Sequence, residues 1–142
     1  DTVTYLAALS NAPSGWPVDS RTVSTEFNPS ADPSISDGRK HYGMDISTQS
    51  RIIPIYATAS GTVVTAQYHS EFGNYVVIDH GNGFTTLYAH CTDLNVAVGD
   101  KVKKGDIIAT TGSTGMSTGV HCHYEIQLNW VYQNPRDYLG EE

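Results

Sequence analysis

The sequence has little charge, little sulfur and no long apolar run. Charged residues make up 16% of the 142 residues, and 15 acidic residues outnumber 8 basic ones, which gives a formal net charge of −7. Binding to a phosphate backbone needs a basic surface, so this balance argues against nucleic acid as a partner. No run of about 18 apolar residues is present, and the sequence therefore predicts no membrane-spanning helix.

Cysteine is also scarce: Cys91 and Cys122 are the only two, and each stands beside a histidine. The paired C-x2-C spacing of a structural zinc cluster is absent. Both positions are typical of strand residues that face away from the neighbouring histidines, where a thiol serves as a small buried apolar group. The alternative is a disulfide between neighbouring strands, which an even cysteine count permits in an exported protein.

Glycine, tyrosine and short β-prone runs are plentiful, with 13 Gly and 9 Tyr. From residue 54 onward, segments rich in β-branched and aromatic residues alternate with Gly-containing turns, a pattern typical of strands. The predicted strands cover residues 54–57, 61–68, 75–80, 84–90, 107–111 and 120–128. We therefore predict a mostly β, single-domain fold with little helix, in which antiparallel sheets form a sandwich or a partly open barrel.

The first part of the chain has a different composition. We predict a short helix over residues 4–9. The abundance of Ser, Pro, Asp and Asn in residues 16–38 predicts an irregular loop there. We accordingly divide the chain into an N-terminal extension, residues 1–37, and a domain, residues 38–142. Because the sequence begins at Asp1 without a methionine, we expect it to be a fragment of a longer precursor.

The histidines carry the clearest chemical signal. His121 and His123 lie two residues apart in a predicted strand, so they share one face, and Cys122 points to the other. Such a pair is either exposed strand surface or a metal ligand beside a proton-transfer group. His41 and Asp45 also differ by an even number. With one more imidazole they make the N2O set of a catalytic zinc site, which leaves the other histidines for general-base and oxyanion duty.

Two further histidines are interpreted as structural. His80 precedes the turn at residues 81–83, where we expect it to serve the turn or a sheet edge. His69 lies in a polar segment and is expected to be a solvated loop residue.

The motifs around these residues occur in a recognisable order. They lie in residues 38–45 (with His41-Tyr42-Gly43-Met44-Asp45), 73–83, 86–90 (ending Tyr88-Ala89-His90), 99–105, 112–115 and 119–125 (with His121-Cys122-His123). Together they resemble the LytM/lysostaphin-like family, the M23 zinc metallopeptidases. The resemblance extends from about residue 38 to residue 138.

The resemblance implies a role for each site residue. His41, Asp45 and His123 are expected to bind one Zn²⁺ per chain. His90 and His121 are expected to be the catalytic histidines, which take a proton from water, stabilise the oxyanion and protonate the leaving amine. The sequence does not divide these duties between the two.

The resemblance also implies a function. Members of this family cleave peptide bonds in bacterial cell-wall peptidoglycan, either Gly-Gly bonds of cross-bridges or bonds that involve D-amino acids. We therefore predict a zinc-dependent endopeptidase that acts on a peptidoglycan peptide outside the cytoplasm, as a secreted, periplasmic or wall-associated monomer. The alternative is a non-enzymatic module that regulates another hydrolase or docks a partner during cell division or sporulation.

Overall fold

The protein consists almost entirely of β-strands. The computed structural model describes residues 12–117 and 119–140, so the helix predicted over residues 4–9 lies outside the described residues. The strands, in chain order, are β1 Thr22–Thr25, β2 Met44–Ser47, β3 Pro54–Tyr56, β4 Gly61–His69, β5 Gly73–Gly81, β6 Phe84–Cys91, β7 Lys101–Val102, β8 Ile107–Thr110, β9 His121–Leu128 and β10 Val131–Gln133. A 3-10 helix, Pro135–Tyr138, follows β10.

The strands form one large sheet and one small sheet. The large sheet has the order β1-β2-β9-β6-β5-β4-β7, with β10 paired to β9, and the small sheet pairs β3 with β8. Every pairing between these strands is antiparallel. Over the described residues the large sheet stays open, with β1 and β7 at its edges. The predicted fold class is confirmed: mostly β, with antiparallel sheets and little helix.

The hydrophobic core lies between one face of the large sheet and the small sheet. The largest side chains buried there come from strands of both sheets: Tyr88, Tyr124, Met44, Ile46, Ile55, Ile78, Ile108 and Ile126. Burying each large apolar side chain contributes about 1.5–3 kcal/mol, so this layer is the main source of stability. The opposite face of the large sheet carries His121 and His123, and we call it the site face.

The buried tyrosine hydroxyls have internal partners. Thr58 Oγ1 lies 3.1 Å from the Tyr88 hydroxyl and 2.7 Å from the Tyr124 hydroxyl. His80 joins the same network, since its Nδ1–H donates to the Ser60 carbonyl at 2.9 Å and its Nε2 lies 2.7 Å from Thr86 Oγ1. Burial lowers the pKa of His80. A structural role for His80 is thus supported, and the residue lies at the end of β5, just before the β5–β6 turn, with its side chain buried.

Two predictions about local structure need correction or completion. The irregular loop predicted over residues 16–38 is wrong at Thr22–Thr25, because this β-branched run pairs with β2 as an edge strand. Cys91 and Cys122 are buried, as predicted, and both are free thiols, so the disulfide alternative does not hold in this structure. Burial raises the pKa of Cys91 to about 12.

The division of the chain at residue 37 stays a prediction, and β1 lies on its N-terminal side. Among the described residues, no helix has the length and apolar character needed to cross a membrane.

Candidate functional site

Strand alternation sets the basic layout of the site. In β9, His121 and His123 project from the site face, while Cys122 and Tyr124 have no exposed surface and belong to the core. The neighbouring strand β2 runs antiparallel, and its Asp45 pairs directly opposite His123. Because opposite residues of an antiparallel pair project from the same face, this register brings the Asp45 carboxylate to the His123 imidazole.

Asp45 is the centre of a cluster of three imidazoles. Its Oδ1 lies 2.7 Å from His123 Nδ1, 3.3 Å from His41 Nε2 and 3.7 Å from His121 Nε2. His41 reaches this point because it pairs with Asn28 in an isolated bridge just before β2, which keeps the backbone extended. The expected convergence of His41 and Asp45 is therefore present.

An outer hydrogen bond fixes the tautomer of His41, whereas His123 has a carboxylate oxygen at each of its ring nitrogens. His41 donates Nδ1–H to the Glu26 carbonyl at 3.0 Å. His123 Nε2 lies 2.8 Å from Glu125 Oε2, and its Nδ1 faces Asp45. With its proton on Nδ1, the neutral His41 ring directs its Nε2 lone pair toward Asp45. The His123 ring directs its Nδ1 lone pair there when Nε2 carries the proton, which is the arrangement found around metal-binding histidines.

The donor set fits a cation such as zinc. One ligand atom from each of His41, Asp45 and His123 lies within 4.8 Å of the other two. Two imidazole nitrogens and one carboxylate make the three-ligand set of catalytic zinc sites. His123 Nδ1 and Asp45 Oδ1 are both acceptors in the tautomer described above, so their short approach needs a positive species between them, either a proton or a metal ion.

The short contact between His123 and Asp45 shifts the pKa values of both side chains when no metal is bound. Burial disfavours the charged form of His123, but the Asp45 and Glu125 carboxylates outweigh burial and raise its pKa to about 9. Burial also works against the Asp45 carboxylate, yet the hydrogen bonds from His123 and His41 hold its pKa well below the usual range.

His90 reaches the site through an irregular backbone. Even-numbered residues of β6, such as Tyr88, face the core, so strict alternation would place His90 there too. Instead His90 has φ 62° and the pairing of β5 with β6 shifts register at this point. The left-handed residue turns the imidazole to the site face and returns Cys91 to the core. Such conformations are costly for a residue with a side chain and concentrate at functional sites.

His90 and His121 form a second pair of imidazoles, with ring centroids 4.9 Å apart. His90 donates Nδ1–H to the Thr114 carbonyl at 2.7 Å, and His121 donates Nδ1–H to the Gly119 carbonyl at 2.8 Å. Each neutral ring therefore keeps its Nε2 lone pair available. Burial lowers the pKa of His90, which favours the neutral form.

Two loops form the walls of a pocket of about 520 Å³ around these residues. Phe72, in the first loop, stacks near His123 with ring centroids 6.2 Å apart, and Met116, in the second loop, also lines the pocket. The walls are tied together, because Met116 N donates to the Glu71 carbonyl at 2.9 Å. The two joined loops therefore form a fixed border beside the imidazoles.

The structure brings all the predicted site residues into this one pocket: His41, Asp45, His90, His121 and His123. The roles assigned to them stay predictions. Sequence reasoning missed Glu125, which binds His123 from behind, and Thr114, which orients His90. Glu125 could have been found from the sequence, because it lies two residues after His123 in the same strand and therefore on the same face. Thr114 could not have been found in this way, since its contact with His90 is made by a backbone carbonyl, which any residue type can supply.

Comparison with known sequences gives a consistent result. The model for "Peptidase family M23" matches residues 39–135. Over 121 residues the chain is 40% identical to the peptidoglycan DD-endopeptidase ShyC of Vibrio cholerae serotype O1. That match covers 84% of this chain and 28% of the relative, so the chain spans less than a third of ShyC.

Solved structures agree with this comparison. A zinc-containing peptidase from Vibrio cholerae superposes with a TM-score of 0.78 and 31% identity, over 94% of this chain and 41% of the other. The catalytic domain of lysostaphin from Staphylococcus simulans gives a TM-score of 0.67 and 29% identity, over 91% and 89% of the two chains.

Proposed function

Since this chain belongs to peptidase family M23, we propose that it is a zinc-dependent endopeptidase that hydrolyses peptide bonds in bacterial cell-wall peptidoglycan. The observation that carries the proposal is the convergence of four imidazoles and one carboxylate. Each of those imidazoles has its outer nitrogen held by an acceptor and its inner nitrogen directed into one pocket. A merely structural metal site needs no such spare pair of imidazoles.

In this proposal His41, Asp45 and His123 hold the zinc ion. A zinc ion in a three-ligand set acts as a Lewis acid that polarises a peptide carbonyl and activates water. Glu125 positions the metal ligand His123 by accepting its Nε2–H, and Glu26 positions His41 through a backbone carbonyl. These outer contacts keep the ligand nitrogens in place before substrate arrives.

In this proposal His90 and His121 accept and donate the protons of the reaction. A neutral imidazole with its Nδ1–H already donated accepts a proton at Nε2, so either ring can serve as the general base for the attacking water. Once protonated, that Nε2–H donates to the oxyanion or passes its proton to the leaving amine. The two rings lie side by side, with centroids 4.9 Å apart, so both can reach one substrate carbonyl.

The bond cleaved is proposed to be a cross-link bond that involves D-amino acids rather than a Gly-Gly bond. ShyC, at 40% identity, is named as a peptidoglycan DD-endopeptidase, whereas the lysostaphin domain is the more distant of the two at 29%. Because peptidoglycan lies outside the cytoplasmic membrane, this activity places the protein in an extracytoplasmic compartment. The non-enzymatic alternative is not favoured, because the complete set of five site residues is present.

The direct test is digestion of defined cross-linked muropeptides by the zinc-loaded protein. We expect two products whose masses sum to that of the substrate plus one water, with a new amine and a new carboxylate at the D-amino-acid cross-link. A Gly-Gly-bridged dimer serves as the substrate control and is expected to stay intact. Chelation should stop the reaction and added zinc should restore it. No cleavage of either dimer by protein with zinc bound would overturn the proposal.

Glu125 gives a prediction about the metal rather than about the reaction. Replacing Glu125 with Gln removes the charge that supports the His123 imidazole, and Glu125→Ala removes the acceptor altogether. We expect zinc affinity to fall by about 10- to 100-fold, more for Ala than for Gln, as for other carboxylates behind a metal-bound histidine. Competition with a chromophoric chelator measures this dissociation constant.

Gln127 supplies the matched control for Glu125. It lies two residues further along the same face of β9, and its side chain lines the neighbouring cleft rather than the metal pocket. Zinc affinity of Gln127→Ala should equal that of the native protein. Unchanged affinity in Glu125→Ala would show that this carboxylate does not position the ligand.

A further inference from the structure

The turn between β9 and β10 carries an unusual residue. Leu128 pairs with Val131, so Asn129 and Trp130 form a two-residue turn, and their φ values are 50° and 69°. A turn with two left-handed residues is suited to Asn-Gly, because glycine adopts this conformation without steric cost. A tryptophan there weakens the turn, and its side chain is 83% exposed. An exposed indole kept at an unfavourable position indicates binding rather than folding.

The turn is held firmly despite this strain. Asn129 N donates to the Gly83 carbonyl at 2.8 Å, which ties the β9–β10 turn to the β5–β6 turn. A Cβ atom on Gly83 would overlap the Asn129 side chain. The indole is therefore presented from a fixed backbone.

Trp130 lines a cleft of about 400 Å³ on the same face of the large sheet as the metal pocket. Its floor includes Val77, Leu87 and Gln127, and Glu125 also lines it. Because Glu125 is hydrogen-bonded to His123 at 2.8 Å, the cleft and the metal pocket share a wall. A ligand held at the metal can therefore extend along β9 toward the indole.

The lining of the cleft defines the chemistry of its occupant. Asp79 and Glu125 contribute carboxylates, Thr65 and Thr85 contribute hydroxyls, and none of the residues that line it is Lys or Arg. The two carboxylates repel an anionic ligand. An indole beside amide, hydroxyl and carboxylate groups suits a neutral ring that has an apolar face and a polar edge. A pyranose sugar has this shape.

The spacing fits the position of sugar relative to peptide in peptidoglycan, where stem peptides hang from a glycan strand. At about 3.3 Å per residue, β9 extends on the order of 15 Å from His123 to its turn. Four amino acids in extended form span about 13–14 Å. A stem peptide whose cross-link lies at the metal therefore reaches its own sugar near the β9–β10 turn.

We propose that Trp130 and this cleft form a subsite for an N-acetylated sugar of the glycan strand that carries the peptide being cleaved. The identity of the ligand rests on the proposed peptidoglycan activity. The subsite anchors the substrate at its glycan end and leaves the chemistry at the metal unchanged. It therefore acts on KM rather than on kcat.

Trp130→Gly is the decisive variant, because glycine suits the turn and the variant is expected to fold at least as well as the native protein. Its kinetics are compared on two substrates: disaccharide-bearing peptide dimers, and the same dimers with the sugars removed. On the sugar-bearing dimers we expect KM to rise by about fivefold to tenfold with kcat unchanged. On sugar-free dimers the variant and the native protein should behave alike. Val98→Ala, an exposed apolar residue outside the cleft, serves as the control.

Direct binding separates this proposal from the proposed activity. Titration with the neutral tetramer of N-acetylglucosamine should shift the tryptophan fluorescence of the native protein. It should leave Trp130→Gly, which retains Trp16, unchanged. If the native protein cleaves nothing but this titration succeeds, the peptidase proposal fails and the sugar subsite stands.

Three results would overturn the subsite. The first is equal KM for variant and native protein on sugar-bearing dimers. The second is an equal rise in KM on sugar-free dimers, which would show that the indole contacts peptide. The third is concentration-dependent self-association that disappears in Trp130→Gly, which would show that a second copy of the chain covers the cleft.

Discussion

Replacing His121 with alanine is expected to leave zinc bound and to lower kcat for muropeptide cleavage by about 10²- to 10⁴-fold, the usual contribution of a general acid-base group. The ring nitrogen of His121 lies 3.7 Å from Asp45 Oδ1, outside the closest contacts of the three-ligand set. Asp45→Ala should behave differently. It removes the only carboxylate of that set and leaves His41 and His123 without their shared partner, so both zinc and activity are lost.

Metal analysis and product release, measured on the same samples, distinguish the two variants. Asp93→Ala is the matched control for loss of a carboxylate, because Asp93 is exposed and does not line the pocket, and it should retain both zinc and activity. Loss of zinc from His121→Ala would reassign His121 as a ligand. Near-native turnover by that variant would remove it from the mechanism.

Gly115→Ala is expected to damage both stability and catalysis. Gly115 has φ +72°, and a Cβ atom there would overlap the backbone nitrogen of Gly73 and lie 2.7 Å from the Glu71 carbonyl oxygen. Backbone atoms cannot move aside as a flexible side chain can, so the two walls of the pocket must separate. The left-handed conformation and the overpacking together cost about 2–4 kcal/mol. The melting temperature should fall by about 5–15 °C.

Gly115→Ala is expected to affect catalysis because the neighbouring residue, Thr114, orients His90. Thr114 holds His90 through its carbonyl at 2.7 Å, so a shift of the wall moves that imidazole and lowers kcat. Gly99→Ala is the matched control, since Gly99 also has positive φ, +96°, but nothing lies within 4 Å of an added Cβ. We expect Gly99→Ala to lower the stability only by the cost of the left-handed conformation, about 1–2 kcal/mol, and to leave the activity unchanged. Equal effects of both substitutions would show that the contact between the walls is unimportant.

Much of the fold could be predicted from the sequence because the longer strands have a local composition that is typical of strands. Runs such as residues 61–68 and 84–90 combine β-branched and aromatic residues between glycine turns, and the structure places strands there. The weak strands were missed for a physical reason. β7 and β10 have two and three residues, β2 has four, and β1 lies within a polar segment, so their pairing depends on neighbouring strands rather than on their own composition.

The site could be predicted in outline for a similar reason. The two-residue period of a strand places His121 and His123 on one face whatever the surrounding fold. The even spacing of His41 and Asp45 made them candidate ligands, and the motif resemblance assigned the roles and added His90. The period alone gives the wrong face for His90, because a left-handed residue interrupts the alternation there. Local sequence does not show that interruption, since it depends on the register between β5 and β6.

The sequence by itself determined the strand pattern, the acidic surface charge and the set of chemical groups in the site. Tertiary structure decided how those groups are oriented and what lies beside them. Long-range contacts with the Glu26 and Thr114 carbonyls place the protons of His41 and His90 on their outer nitrogens. The open face of the sheet joins Glu125 to Trp130 in one cleft. The physical reason is that alternation is a property of a single strand, whereas tautomers, walls and clefts depend on contacts between distant segments.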